Sequence, residues 1–192
     1  MLTSFFRGEL SSKGFFYKTK FSITGKNNRI IVDENAYLEK CSIFINGNNN
    51  TIRIGKSCTL LGLEFWIEDT GGLIELGNTV RTFGGGQFAS IEGRTIRIGD
   101  DCLFAKNIQI RTGDSHSIIQ NGKRINPSKD VCIANHVWIG ADSAILKGVT
   151  IGHDSVIGTK SLITKDVDNN CIVVGSSGRV IKKEITWDIH RI

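Results

Sequence analysis

The amino-acid sequence predicts an all-β fold: one elongated domain of stacked triangular coils, with a loop extruded from the stack. The first observation is a run of isoleucines spaced six residues apart, namely Ile133, Ile139, Ile145, Ile151, Ile157 and Ile163. The second is that a Val or Ser follows each of them four residues later, from Val137 to Val167. A period of six fits neither an α-helix nor an alternating strand. Three such units form one coil of about eighteen residues, and coils stack about 4.8 Å apart.

The predicted elements follow in order along the chain. Residues 1–29 are expected to cap the open first coil, because aromatic side chains concentrate there: Phe5, Phe6, Phe15, Phe16 and Tyr17. The coils are expected over residues 30–168, because the register recurs at Val32, Leu38 and Phe44 and at Ile98, Phe104 and Ile110. Breaks are expected at 64–86 and 111–131, and a C-terminal segment at 169–192. An ordinary β-sandwich is disfavoured, since its strands recur every eight to twelve residues.

The second break is expected to be a loop that leaves one coil and returns to the next. It contains the only proline of the chain, Pro127, and several polar residues. Loops that interrupt a regular scaffold commonly carry function. We therefore expect chemistry at residues 111–131.

Composition excludes several classes of function. The net charge of +5 is spread along the chain, which argues against nucleic-acid binding and suits small anionic ligands. Five cysteines, an odd number without a C-x-x-C pair, argue against disulfides and zinc. Cys58 and Cys102 are expected at buried corners. The N-terminus has no apolar stretch long enough for a signal peptide, so we expect a cytoplasmic protein. Contact with the inner face of the membrane is the alternative.

Residues 137–167, V-W-I-G-A-D-S-A-I-L-K-G-V-T-I-G-H-D-S-V-I-G-T-K-S-L-I-T-K-D-V, resemble the acetyl-CoA half of the hexapeptide-repeat acyltransferases. The segment R-T-G-D-S-H-S-I-I-Q-N-G-K-R-I-N-P-S-K-D is similar to that of their sugar O-acetyltransferases, above all those that modify capsules and lipopolysaccharides. The resemblance covers about residues 30–182. It implies a left-handed parallel β-helix and a homotrimer with active sites between subunits. It also implies direct transfer from acetyl-CoA to a hydroxyl of a sugar or polysaccharide.

The resemblance also assigns catalytic roles. His116 would be the general base that removes the acceptor proton. Asp114 would either orient the imidazole or shape the loop as an Asx-turn; a backbone carbonyl could orient the ring instead. Trp138 should point outward to contact acceptor or pantetheine, with packing between subunits as the alternative. Its indole N–H, or backbone N–H groups near Gly140 and Ala141, would stabilise the oxyanion.

The same resemblance places the acetyl-CoA tract along one groove of the prism. Its expected residues are Trp138, Gly140, Ala141, Thr159, Thr164, Lys165, Arg179 and Lys182. At 175–181 the chain has G-S-S-G-R-V-I where the family usually has G-N-P-A-K-V-I, so Arg179 would replace the usual basic residue at the phosphates. Solvated corners are the alternative for the lysines.

Other functions remain possible at this point. A small-molecule acetyltransferase acting on a sugar, an amino sugar or an antibiotic is the nearest alternative. A zinc enzyme like the γ-carbonic anhydrases would need a histidine trio, but His153 should face solvent, so no metal is expected. A trimeric scaffold without activity is the last alternative.

Overall fold

The computed structural model describes residues 8–191, and this part of the chain contains strands and turns but no helix. The strands are β1 (Gly8–Ser12), β2 (Phe15–Tyr17), β3 (Lys20–Thr24), β4 (Asn28–Val32), β5 (Tyr37–Glu39), β6 (Ser42–Asn46), β7 (Thr51–Ile54), β8 (Thr59–Leu61), β9 (Glu64–Glu68), β10 (Leu73–Leu76), β11 (Arg81–Phe83), β12 (Gly86–Ser90), β13 (Thr95–Ile98), β14 (Leu103–Phe104), β15 (Ile108–Arg111), β16 (Ile119–Gln120), β17 (Lys123–Arg124), β18 (Val131–Ile133), β19 (Trp138–Ile139), β20 (Ala144–Ile145), β21 (Thr150–Ile151), β22 (Val156–Ile157), β23 (Leu162–Ile163), β24 (Ile172–Val174) and β25 (Arg179–Lys182).

Three long sheets form the faces of a prism. Face 1 contains β1, β4, β7, β10, β13, β18 and β21; face 2 contains β2, β5, β8, β11, β14, β19, β22, β24 and β25; face 3 contains β3, β6, β9, β12, β15, β20 and β23. The chain visits the faces in this order, so each coil turns at a 1–2 edge, a 2–3 edge and a 3–1 edge. The coils pair in parallel; the antiparallel pairs of the described chain are β16 with β17 and β24 with β25.

The interior of the prism is an aliphatic column, as the six-residue register predicted. All six isoleucines of the run are buried, with at most 2% of their surface exposed. Each such side chain contributes roughly 1.5–3 kcal/mol relative to exposure. The predicted corner residues Cys58 and Cys102 are buried too, and burial raises the pKa of their thiols to about 11 and about 12.

The coils begin earlier than residue 30. β1, β2 and β3 form a complete coil that pairs in register with β4, β5 and β6, so residues 8–24 belong to the solenoid. Phe16 packs against the core, whereas Phe15 and Tyr17 are exposed. Phe5 and Phe6 lie outside the described residues. At the other end, β24 continues face 2 as far as Val174.

The expected break at 64–86 does not exist, because the N-terminal coils are longer than the C-terminal ones. Thr51 pairs with Leu73, 22 positions later, whereas Cys132 pairs with Thr150, 18 positions later. The additional residues lengthen the strands of face 3 in the N-terminal coils: β9 has five residues, whereas β20 in a C-terminal coil has two. Phe44 was therefore assigned to the wrong side of the sheet: its neighbours Ile43 and Ile45 are buried, and Phe44 lies on the outer surface.

Candidate active site

The extruded loop leaves face 3 after Arg111 and joins face 1 at Val131, so it projects from the 3–1 edge. Its tip is the hairpin of β16 and β17. Beneath it the prism continues undisturbed, because Ile96 still pairs with Val131 and Ile98 with Ile133. The scaffold therefore supports the loop without depending on it.

Asn126 organises the loop. It is buried, with 6% of its surface exposed. Its Nδ2 donates to Asp114 Oδ2 at 2.7 Å and to the His116 carbonyl oxygen at 2.8 Å, and its Oδ1 accepts from the Ile118 amide at 2.6 Å. One amide side chain thus fixes the backbone on both sides of His116. Asn126 was not predicted as a site residue from the sequence; its position next to the only proline, Pro127, was the available signal.

Asp114 does not contact the His116 imidazole. Its Oδ2 accepts from Lys147 Nζ as well as from Asn126. These two hydrogen bonds, that from Lys147 first, lower the pKa of the carboxyl group. Of the two predicted roles, the hydrogen bonds match loop shaping. Lys147, which lies at the 3–1 edge of the next coil, also donates to the Asn126 carbonyl at 3.1 Å.

His116 is exposed at the outer side of this loop. Within residues 8–191 its backbone is held by Asn126, and its ring makes no hydrogen bond. A second anchor holds the hairpin: Arg124 Nη2 lies 2.6 Å from Glu92 Oε1, and this contact lowers the pKa of Glu92. The loop therefore holds the backbone of His116 in place and leaves its ring nitrogens available to a ligand.

Trp138 points outward from face 2, with 40% of its surface exposed. Gly140 and Ala141 follow at the 2–3 edge beside Thr159. The Gly140 amide donates to the Ile157 carbonyl oxygen at 2.7 Å, so it is not available as an oxyanion donor and that expectation is wrong. A Cβ at position 140 would lie 2.6 Å from the Thr159 amide nitrogen, so Gly140 serves close packing between coils. Ala141 N–H and the Trp138 indole remain as candidate donors.

The predicted cofactor residues do not line one groove of a single chain. Ala141 and Thr159 stack at the 2–3 edge, where the Lys160 amide donates to the Ala141 carbonyl at 2.8 Å. Thr164 and Lys165 lie at the 3–1 edge, the edge that carries the loop. Arg179 and Lys182 are exposed in β25, the last strand of face 2. His116 and Trp138 are thus on different sides of the same prism.

A second polar cluster occupies the 1–2 edge. Asp154 receives hydrogen bonds from His136 Nδ1 and His153 Nδ1, both at 2.7 Å, and from Thr186 Oγ1 at 2.9 Å. The contacts with His136, then His153, lower the pKa of Asp154 to about 2. The Trp187 ring stacks on His136 at 4.2 Å. No metal-binding group of side chains occurs among residues 8–191.

Comparison with known proteins places this geometry in a family. A family model described as "Bacterial transferase hexapeptide (six repeats)" matches residues 132–165. The polysialic acid O-acetyltransferase OatWY has a crystal structure that aligns with 97% of this chain and 89% of its own, at 30% identity and a TM-score of 0.84. The chain belongs to the hexapeptide-repeat acyltransferase family. The expected left-handed parallel β-helix is confirmed with it.

Other members of the family give the same picture. The crystal structure of the polysialic-acid-specific acetyltransferase NeuO aligns with 96% of the present chain, and the alignment covers 87% of the NeuO chain, at 29% identity and a TM-score of 0.87. Polysialic acid O-acetyltransferase of Escherichia coli O1:K1 is 33% identical over 55% of this chain and 35% of its own length. Galactoside O-acetyltransferase of Escherichia coli K12 is 39% identical over 52% of this chain and 50% of its own. The matches thus span a third to a half of these curated relatives.

Between residues 8 and 191 no helix long and apolar enough to cross a membrane is present.

Proposed function

We propose that the chain is an acetyl-CoA-dependent O-acetyltransferase that acts on a hydroxyl of a cell-envelope polysaccharide or its sugar precursor. The observation that carries the proposal is the fixed presentation of His116, held through its backbone by Asn126 and exposed beside a β-helix edge. The similarity to two polysialic acid O-acetyltransferases over nearly the whole chain supports the same reaction.

In the proposed reaction His116 accepts the proton of the acceptor hydroxyl while the oxygen attacks the thioester carbonyl. The tetrahedral intermediate then expels the CoA thiolate, which takes the proton from the imidazolium and leaves as the thiol. No bond to the enzyme forms. The intermediate carries a negative oxygen, and the Trp138 indole N–H or the Ala141 amide would donate to it.

The separation of the predicted residues supports a site shared between two copies. His116, Thr164 and Lys165 lie at the 3–1 edge, whereas Trp138 lies on face 2, across the prism. One copy would contribute the loop edge, and its neighbour would contribute face 2. We therefore propose a homotrimer, because a head-to-tail contact that closes by rotation repeats the same site at every interface.

Mixing two inactive variants tests the shared site. In a trimer assembled at random from His116→Ala and Trp138→Ala chains, one interface of each mixed trimer carries both intact residues. Activity should therefore return to about a quarter of wild type after co-refolding. A site contained in one chain would recover nothing. Mass measurement checks the trimer independently, since the chain has a mass of 21.1 kDa.

The charge near His116 suits an acidic acceptor. Arg111 Nη2 donates to Ser115 Oγ at 3.4 Å, which places a guanidinium beside the residue that precedes His116. Guanidinium groups bind carboxylates through paired hydrogen bonds. A small neutral acceptor is the second candidate, and the relative named galactoside O-acetyltransferase favours it.

The decisive experiment is an acetyl-transfer screen on sialic-acid polymers, hexoses and amino sugars. His116→Ala should lower thioester turnover at least about a hundredfold, the scale expected for a lost general base. Gln120→Ala, an exposed change in the same loop, is the matched control and should retain activity. Near-normal turnover by His116→Ala would refute the proposed base.

We also propose a cytoplasmic location, including the inner face of the membrane, because all five cysteines are free and free thiols suit a reducing compartment.

A further inference from the structure

The end of the chain forms a strap along the 1–2 edge. After β25 the chain turns back, and residues 185–187 contact three successive coils. The Ile185 amide donates to the Asn170 carbonyl oxygen at 3.1 Å, and Asn170 Nδ2 donates to the Ile185 carbonyl oxygen at 3.0 Å. Thr186 binds Asp154 in the next coil, and Trp187 binds His136 in the coil after that. We call residues 183–190 the C-terminal strap.

Trp187 is the most firmly held residue of the strap. Its Nε1 donates to the His136 carbonyl oxygen at 2.8 Å. Its ring lies nearly parallel to the His136 imidazole, at 10° and a centroid distance of 4.2 Å. The His136 imidazole is hydrogen-bonded to Asp154, and the Asp154 carboxylate also accepts a hydrogen bond from the Thr186 hydroxyl. The indole is thus fixed by a hydrogen bond, a stacking contact and an anchored neighbour in the chain.

This indole stands beside Trp138. The two ring centroids are 6.1 Å apart and the planes are tilted by 50°, so the rings form an aromatic corner where the 1–2 edge meets face 2. Trp138 is 40% exposed and Trp187 is half-buried. Aromatic pairs at such distances are stabilising beyond the area they bury. Trp187 therefore restricts the positions that the Trp138 ring can adopt.

The aromatic corner lies at one end of a line along face 2. Trp138 pairs with Val156, Val156 pairs with Ile172, and Ile172 pairs with Lys182. Three strand spacings separate the ends, about 14 Å. The line begins with an indole, continues over aliphatic side chains and ends at a cation. An extended pantetheine arm with its phosphates at the cationic end has the same order of chemical groups.

We propose that Trp187 is a positioning residue that holds the Trp138 indole for the pantetheine arm of the acyl donor. This inference rests on the proposed function, because it assigns the donor to the same site. Its action is indirect: the strap fixes Trp187, and Trp187 fixes Trp138.

Calorimetric titration of the full-length chain with CoA tests the proposal without a known acceptor. Trp187→Ala should weaken CoA binding about three- to tenfold, the range expected from losing an aromatic pair. Trp187→Phe keeps a ring on His136 and should stay within about threefold of wild type. Trp66→Ala is the matched control, because Trp66 is also stacked, on Phe44 at 3.9 Å, but lies on face 3; it should bind CoA as wild type does.

Turnover gives the second measurement. Trp187→Ala should raise KM for acetyl-CoA about three- to tenfold, and Trp187→Phe should keep KM within about threefold of wild type, because a ring on His136 is retained. CoA binding less than about threefold weaker than wild type in folded Trp187→Ala would overturn the proposal, as would an unchanged KM for acetyl-CoA. If Trp187→Ala does not fold, Thr186→Val removes one anchor of the strap and keeps the indole. This variant should bind CoA at least about twofold more weakly than wild type, and wild-type affinity in it would overturn the proposal. A wild-type chain that binds no CoA would instead refute the proposed function.

Discussion

Asn126→Ala should release the extruded loop at 111–131 and leave the prism intact. The substitution removes four side-chain hydrogen bonds: Asn126 donates to Asp114 and to the His116 carbonyl oxygen, and it accepts from the Ile118 amide and from Arg124 Nε. A hydrogen bond of this kind contributes about 0.5–1.5 kcal/mol net, so the closed loop should lose at least about 2 kcal/mol. A change of that size makes local opening at least about thirtyfold more frequent. The Ile118 amide should exchange its hydrogen faster by the same factor, while the Ile139 amide in the core keeps its protection.

Hydrogen exchange of the loop amides, measured by NMR or by mass spectrometry of peptides that span the loop, would report this change in opening. Gln120→Ala is the control, since it alters the same loop at an exposed position of the hairpin. Turnover of the Asn126→Ala chain should fall, to about a tenth or less, because His116 is then less often in position. Exchange of the Ile118 amide within threefold of wild type would show that Asn126 does not hold the loop.

Three further predictions concern the scaffold. Asp154 has a pKa of about 2 against an ordinary 3.8, so its stabilising contribution is complete above about pH 4 and is lost as the pH falls toward 2. In urea unfolding, Asp154→Asn should be less stable than wild type by about 1–2 kcal/mol at pH 5 and equally stable at pH 2. A difference that does not change with pH would contradict this. Ile139→Ala should lower the unfolding free energy by about 2–5 kcal/mol, because Ile139 is fully buried; a loss under 1 kcal/mol would count against the packed column. A thiol reagent at pH 8 should modify the partly exposed Cys132 first, while Cys102, buried and with a pKa of about 12, should react only on unfolding; equal rates would refute the assignment.

Much of the fold could be predicted because the isoleucine column repeats the same environment every six residues. The template failed where the coils lengthen to 22 residues, since a fixed period then loses its register. That is why Phe44 was placed inside and residues 64–86 were taken for a break. The first coil was missed because its interior positions, Phe21 and Ile23 among them, follow the longer period.

The candidate site was predictable only residue by residue. His116 was predicted from its place in the loop that interrupts the repeat and from the resemblance of that loop, and Trp138 from its place before an inward isoleucine; both roles stay predictions. Asn126 and Lys147 were missed, since their contacts join positions 12 and 33 residues from Asp114. Such distances in sequence carry no local pattern. Trp187 was missed for the same reason: it meets His136 across 51 residues.

The antiparallel β25 has a consequence for how these molecules associate. A parallel solenoid ends in open strands that could receive the first coil of another molecule, and repeated addition would build a filament. Here β25 pairs with β24 against the direction of the stack, with a register shift at Ile172, and it exposes Arg179 and Lys182. A second chain arriving at this end of face 2 would meet strand polarity and charge that do not match its own first coil. The last strand thus opposes polymerisation along the prism axis and leaves the sides of the prism for assembly.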